Sequence, residues 1–209
     1  MTKTRSEFRC GECGWATTKW VGRCGECQAW GTVEQVGART RGITAGPVAT
    51  AARPIVEIDV DQARTRPTGV DELDRVLGGG LIPGGVALLA GEPGVGKSTL
   101  LLDVAAKAAR SGLTTLYVTG EESVAQVRLR ADRISAVNGG LWLAAETDLA
   151  AVLGQIDSVQ PGLLVVDSVQ TVSSHEVDGA PGGVTQIREV AAALIKVAKE
   201  RGIAAVLVG

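Results

Sequence analysis

Beyond residue 54 the chain alternates two kinds of hydrophobic pattern. Residues 86–90 (VALLA), 114–119 (TTLYVT), 141–145 (LWLAA), 163–167 (LLVVD) and 203–208 (IAAVLV) are short, nearly continuous apolar runs. Runs of this length without polar alternation predict strands covered on both faces. Between them, residues 97–111, 124–137, 149–159 and 184–201 are longer and amphipathic, and predict helices. In the last of these, Ile187, Val190, Ala191, Leu194, Val197 and Ala198 recur at steps of three and four, which places them on one helical face. Strand and helix in strict alternation predict an α/β fold built on right-handed βαβ crossovers, with a mostly parallel sheet.

Ahead of this region the pattern changes twice. Residues 7–36 hold all four cysteines and three of the four tryptophans. Residues 37–54 (GARTRGITAGPVATAARP) are small, turn-rich and free of acids, without apolar periodicity, and read as a flexible linker. The expected organisation is therefore a small module at 7–36, a linker at 37–54 and one globular core over 55–209. Aromatic residues make up only 3% of the chain, so the core must be aliphatic.

Net charge refines the picture little. The chain carries −2; residues 1–54 hold eight Lys or Arg against four Glu, which gives +4 and leaves −6 for the remainder. A basic front end suits a polyanion, but four zinc-bound thiolates would themselves subtract two units. No apolar run reaches the roughly 18 residues that span a bilayer. The opening MTKTRSEFRC lacks the apolar stretch of a signal peptide, so the expected location is the cytoplasm. In a reducing compartment clustered cysteines read as metal ligands before disulfides.

The cysteines support that reading. Cys10-Gly-Glu-Cys13 and Cys24-Gly-Glu-Cys27 are two CxxC knuckles ten residues apart. Each knuckle aims two thiolates at one centre, and a pair supplies a closed tetrahedral set, the donor set of structural Zn²⁺. Four sulfurs leave no open position for a substrate, so the role is structural. A rubredoxin-like iron site uses similar knuckles, and zinc is preferred because nothing else in the sequence points to electron transfer. For Trp15, Trp20 and Trp30 two readings stand: stacking surfaces for nucleic-acid bases, or a miniature core around the knuckles. The core reading is favoured for Trp20 and Trp30, and Trp15 is left open.

The strongest chemical signal is at 91–98. Gly91, Glu92, Pro93, Gly94, Val95, Gly96, Lys97 and Ser98 satisfy GxxxxGK[ST] at every fixed position, followed by Thr99, between a predicted strand and a predicted helix. Such a loop turns backbone N–H groups onto phosphates at a helix N-terminus. Lys97 is expected at the β and γ phosphates of ATP and Ser98 on Mg²⁺. Asp167, ending the run LLVVD, is the expected second acid at the Mg²⁺. Hydrolysis also needs a carboxylate to orient or deprotonate water. Glu121 and Glu122 follow the 114–119 strand and are both placed for it, with a helix predicted to start at Ser123 through an S-x-x-Q capping box to Gln126. The carboxylate not used reads as a solvated charge beside that helix N-terminus. Arg128, Arg130 and Arg133 read as a solvated helix face, and His175, in the loop-like stretch 173–183 (SSHEVDGAPGG), as a solvated loop residue.

These motifs occur in a specific order. TGVDELDRVLGGG at 68–80, IPGG at 82–85 and the phosphate loop resemble the core of RecA-like ATPases. Preceded by CGECG-W and CGECQAWGT, and followed by YVTGEES and VVDSVQT, they resemble the bacterial RadA (Sms) family of repair ATPases over nearly the whole chain. That resemblance implies a DNA-dependent ATPase of recombinational repair, acting on single-stranded and branched DNA as a homo-oligomeric ring motor beside recombinase or replication proteins. It selects Glu121 over Glu122 as the catalytic carboxylate, with Lys97 as its phosphate-binding partner, and makes 173–183 a candidate DNA-facing loop. It also implies that the family continues beyond Gly209 with the rest of the core and a protease-like domain, so that this chain is an N-terminal portion. The alternative is a zinc-dependent nucleic-acid-binding adaptor that uses ATP occupancy as a switch. A KaiC-like kinase is disfavoured by the zinc ribbon.

Overall fold

The computed structural model describes residues 7–36, 48, 51–60 and 64–209. The expected linker at 37–54 therefore lies largely outside the described residues. The chain divides at Pro54 and Ile55 into two compact units.

The first unit is a three-stranded antiparallel sheet, β1 (Glu7–Cys10), β2 (Ala16–Thr17) and β3 (Val33–Val36), in the order β2-β1-β3. Its apolar interior consists of Cys10, Cys24 and Val33, with Phe8, Trp15 and Val21 packed against them. Trp15 lies on Gly25 so closely that a Cβ there would fall 2.8 Å from the indole. So small a core does not hold a chain folded by burial alone, and the cysteines at its centre explain what does.

The second unit contains α1 (Asp71–Val76), β4 (Val86–Leu89), α2 (Lys97–Arg110), β5 (Thr115–Thr119), α3 (Val124–Arg133), β6 (Leu141–Ala145), α4 (Leu149–Val159), β7 (Leu163–Asp167), α5 (Val184–Arg201) and β8 (Ala204–Val208). The five strands form one parallel sheet in the order β4-β8-β7-β5-β6. The α/β class and parallel sheet read from the periodicity are both present. Alternation along β7 shows how the layers form. Leu163 and Val165 join Leu101, Leu102, Val104 and Val127 of α2 and α3, whereas Leu164 and Val166 join Val152, Ile156, Val190 and Leu194 of α4 and α5. Each of these side chains is buried, and full burial stabilises by about 1.5–3 kcal/mol apiece.

Two differences from the sequence reading exceed a single residue. Helix α3 ends at Arg133 rather than 137, because Ser135 takes a left-handed φ of 54° and Ala136 turns inward, its N–H donating to the Ala131 carbonyl. The short helix α1 was not predicted. It begins with Asp71, Glu72 and Asp74 in its first turn, where carboxylates meet the positive end of the helix, and Asp74 accepts a hydrogen bond from the Thr68 N–H at 2.7 Å.

Candidate functional site

The parallel sheet brings the carboxyl ends of β4, β5, β7 and β8 to one edge, the place where open α/β sheets gather ligands. A cavity of about 480 Å³ opens there. It is lined by Gly91, Pro93, Gly94, Gly96, Lys97, Ser98 and Thr99 of the loop after β4, by Glu121 and Glu122 after β5, by Asp167 and Ser168 at the end of β7, and by Arg130 of α3. Of the loop residues singled out in the sequence, Glu92 and Val95 do not line it. Glu92 contributes its carbonyl to Lys97, and the Val95 side chain is exposed.

The loop adopts a conformation its glycines permit. Gly94 and Gly96 sit at φ of 79° and 101°, values costly for a residue with a Cβ, and Gly96 is the N-cap from which α2 starts. Lys97 folds back across the loop, its Nζ donating to the carbonyls of Gly91 at 2.5 Å and Glu92 at 3.1 Å. Its ammonium is thereby held at the mouth of a helix N-terminus, where backbone N–H groups and a cation favour an anion together.

Asp167 is buried at the end of β7. The Tyr117 hydroxyl donates to its Oδ2 at 2.5 Å, and the Gly120 N–H donates to its carbonyl at 3.0 Å. Burial, and then the charge of Asp167, push the Tyr117 phenol well above its usual range, so it remains a donor. Nothing in the linear pattern marks Tyr117 for this role, because a tyrosine within an apolar run reads as core.

The two glutamates are separated by their partners. The Thr119 hydroxyl accepts from the N–H groups of Glu121 at 3.4 Å and Glu122 at 3.0 Å, which fixes the turn that carries them. Ser168 Oγ then donates to Glu121 Oε1 at 2.9 Å, while Arg130 pairs with Glu122 at 2.5 Å. Two expectations are corrected here. Glu122 is not a solvated charge, and Arg130 is not part of a solvated face: its side chain is 15% exposed and lines the cavity, and its Nε is buried without a hydrogen-bond partner. Arg128 and Arg133 are exposed as expected, Arg128 paired with Asp132 along the helix. The periodicity of α3 could have flagged Arg130, since it lies three residues from buried Val127 and next to buried Ala131. The capping box at Ser123 and Gln126 is formed as read.

The loop at 173–183 is braced by a residue the sequence reading passed over. Gln186 is buried, accepts from the Ser174 N–H at 2.8 Å and donates to the carbonyls of Ser174 and Val177 at 3.0 and 2.8 Å. His175 is exposed, as expected.

In the first unit the four sulfurs of Cys10, Cys13, Cys24 and Cys27 lie within 4.8 Å of one another. Cys10 and Cys27 are 3.7 Å apart and Cys13 and Cys24 3.5 Å. Bonds of about 2.3 Å in a tetrahedron require sulfurs about 3.8 Å apart, so the donor set fits one zinc ion. The Thr32 hydroxyl, 3.2 Å from its sulfur, helps to pull the Cys10 thiol down to about 6. At Cys27 the Ala29 amide acts in the same direction, but burial and the other three thiols outweigh it and push the group up to about 12. Crowded sulfurs that resist joint deprotonation are what a divalent cation relieves.

Residues 51–209 match the AAA domain family. The chain belongs to that family. Residues 8–35 match a second family, described as a rubredoxin metal binding domain, in line with the four-sulfur set. Over its whole length the chain is similar to DNA repair proteins RadA: 54% identical over 218 residues to that of Mycobacterium tuberculosis, 52% over 222 to that of Mycolicibacterium smegmatis, and 41% over 216 to that of Bacillus subtilis. The resemblance read from the motifs is thus borne out along the entire chain. The alignments cover all of this chain but only 45%, 47% and 47% of those relatives, so it spans about half their length. Among the described residues no helix is long and apolar enough to cross a membrane.

Proposed function

We propose that the RecA-like core over 55–209, within the matched AAA domain, is an ATP hydrolase of recombinational DNA repair, preceded by a structural zinc module over 7–36 and a linker over 37–54. One observation carries the reading: Lys97, Ser98, Glu121 and Asp167, from three different strand ends, line a single cavity at the sheet edge. Lys97 would bind the β and γ phosphates of ATP. Ser98 and Asp167 would hold Mg²⁺, which when bound neutralises charge on the phosphate oxygens. Glu121, held by Ser168, would orient a water molecule and accept its proton as the γ-phosphoryl group is transferred to that water. Arg130 occupies Glu122, which leaves Glu121 as the one of the two glutamates without a cationic partner among the described residues.

That these relatives are DNA repair proteins supports DNA repair as the process. In this reading the active form is a homo-oligomeric ring in the cytoplasm that moves on single-stranded DNA, processes branched recombination intermediates and works beside recombinase or replication proteins.

The test is phosphate release by the protein with and without single-stranded DNA. Lys97→Ala is expected to abolish release while zinc content stays unchanged; equal turnover by the variant would remove the assignment. Strong stimulation by single-stranded DNA excludes the adaptor that switches on ATP occupancy alone, and its absence favours that adaptor.

A further inference from the structure

The zinc module places two of its tryptophans contrary to the sequence reading. Trp15, which the sequence left open, is partly buried against the small core, whereas Trp20 and Trp30, expected in the core, are 66% and 75% exposed. Exposing two indoles on so small a unit forgoes burial where burial is scarcest, so the apolar patch calls for a partner.

The two rings are neighbours. A Cβ placed on Gly22 would lie 3.7 Å from the Trp20 ring and 3.9 Å from the Trp30 ring, so both indoles border the same bare stretch of backbone. Arg23 fixes one of them. Its guanidinium carbon is 5.6 Å from the centre of the Trp30 ring, within cation–π range, and its Nε and Nη2 donate to the Gln28 carbonyl at 2.9 Å and the Gln28 Oε1 at 2.6 Å. The Gly22 carbonyl accepts from the Gly31 N–H at 2.9 Å, which ties the segments bearing the two rings together. The indoles are therefore presented by a clamped backbone, and the ordering cost of binding on them is already met.

The surrounding charge identifies the occupant. Residues 14–25 contain Lys19 and Arg23 and no acid, so cations alternate with the aromatic rings along this stretch. Elsewhere in 7–36 stand Glu7, Glu12, Glu26 and Glu34, which outnumber Arg9, Lys19 and Arg23 and keep long-range attraction for phosphates weak. A ligand with planar rings and only a few phosphates near the surface fits this combination. We infer that Trp20 and Trp30, flanked by Lys19 and Arg23, form a base-stacking platform for single-stranded nucleic acid, separate from the nucleotide cavity and independent of hydrolysis.

The experiment is a fluorescence titration of the zinc-loaded chain, without nucleotide, with short oligo(dT) and with an abasic strand of equal length. Stacking predicts quenching of tryptophan emission by oligo(dT) and none by the abasic strand. Trp20→Ala and Trp30→Ala should each weaken binding about tenfold, the range of a single base–aromatic stack, with zinc content unchanged, and Trp20→Phe should restore most of it. With two cations at the platform, the slope of log affinity against log salt should be no steeper than about −1.4. Gly22→Val, which sets a side chain between the indoles, should weaken binding without displacing the metal. Equal binding of the abasic strand, or unchanged affinity in both alanine variants, overturns the inference. So does the absence of any quenching by oligo(dT), the outcome expected if the surface docks a protein instead. Lys97→Ala should leave this titration unchanged, so failure here and failure of the ATPase reading are distinguishable.

Discussion

The Tyr117 hydroxyl donates a 2.5 Å hydrogen bond to Oδ2 of Asp167, across two adjacent strands and fifty residues of chain. Both residues are buried, so the bond satisfies a carboxylate that has little contact with solvent and sets its orientation at the sheet edge. Tyr117→Phe would keep the ring and remove the donor. An acceptor left buried without its partner costs about 1–3 kcal/mol. Urea unfolding of residues 55–209 within the chain should register that loss as a lower midpoint with an unchanged slope. A variant as stable as the parent would show that water satisfies Asp167 equally well.

The glutamates should separate kinetically. Glu121→Gln removes the carboxylate held by Ser168 and is expected to slow phosphate release by about 10²–10⁴-fold while nucleotide still binds. Glu122→Gln alters a group already neutralised by Arg130 and should leave turnover within about tenfold of the parent. Single-turnover measurements on both variants would reverse the assignment if the larger loss fell on Glu122.

Arg130 bears on nucleotide affinity. Arg130→Met would leave Glu122 without its cation beside Glu121 and Asp167, which makes the cavity more repellent to a triphosphate. ATP affinity should fall on the order of tenfold, or about 1.4 kcal/mol, and Arg130→Lys should recover part of it by restoring charge without the planar fork. Equilibrium binding of a labelled nucleotide provides the measurement.

Metal removal should act on one unit alone. Zinc binding supplies on the order of 10 kcal/mol of apparent free energy to modules of this kind. Chelation is therefore expected to unfold residues 7–36, seen as changed tryptophan emission from Trp15, while ATP affinity persists. Loss of nucleotide binding with the metal would show that the two units fold as one.

Much of the core's architecture was legible because it is local. A βα alternation appears as short apolar runs and a 3.6-residue repeat, and LLVVD announced a buried strand ending in an acid without reference to the rest of the chain. The phosphate loop and the CxxC knuckles were equally readable, since each is a turn whose chemistry is complete within a few residues. The end of α3 differs because Ser135 and Ala136 continue an acceptable helical pattern, and only the left-handed turn at Ser135, with the Ala136 N–H donating to the Ala131 carbonyl, breaks it.

What the linear pattern carried by itself, then, was most of the segments that pack as strands and helices, a loop shaped for phosphate at a helix N-terminus, and four cysteines grouped as one donor set for a metal. Tertiary structure decided the pairings: Tyr117 with Asp167, Arg130 with Glu122, Ser168 with Glu121, and the outward placement of Trp20 and Trp30. The reason is that a hydrogen bond or an exposed ring depends on which surfaces face each other once the sheet and the knuckles have closed. Side-chain type along the chain constrains that facing only weakly.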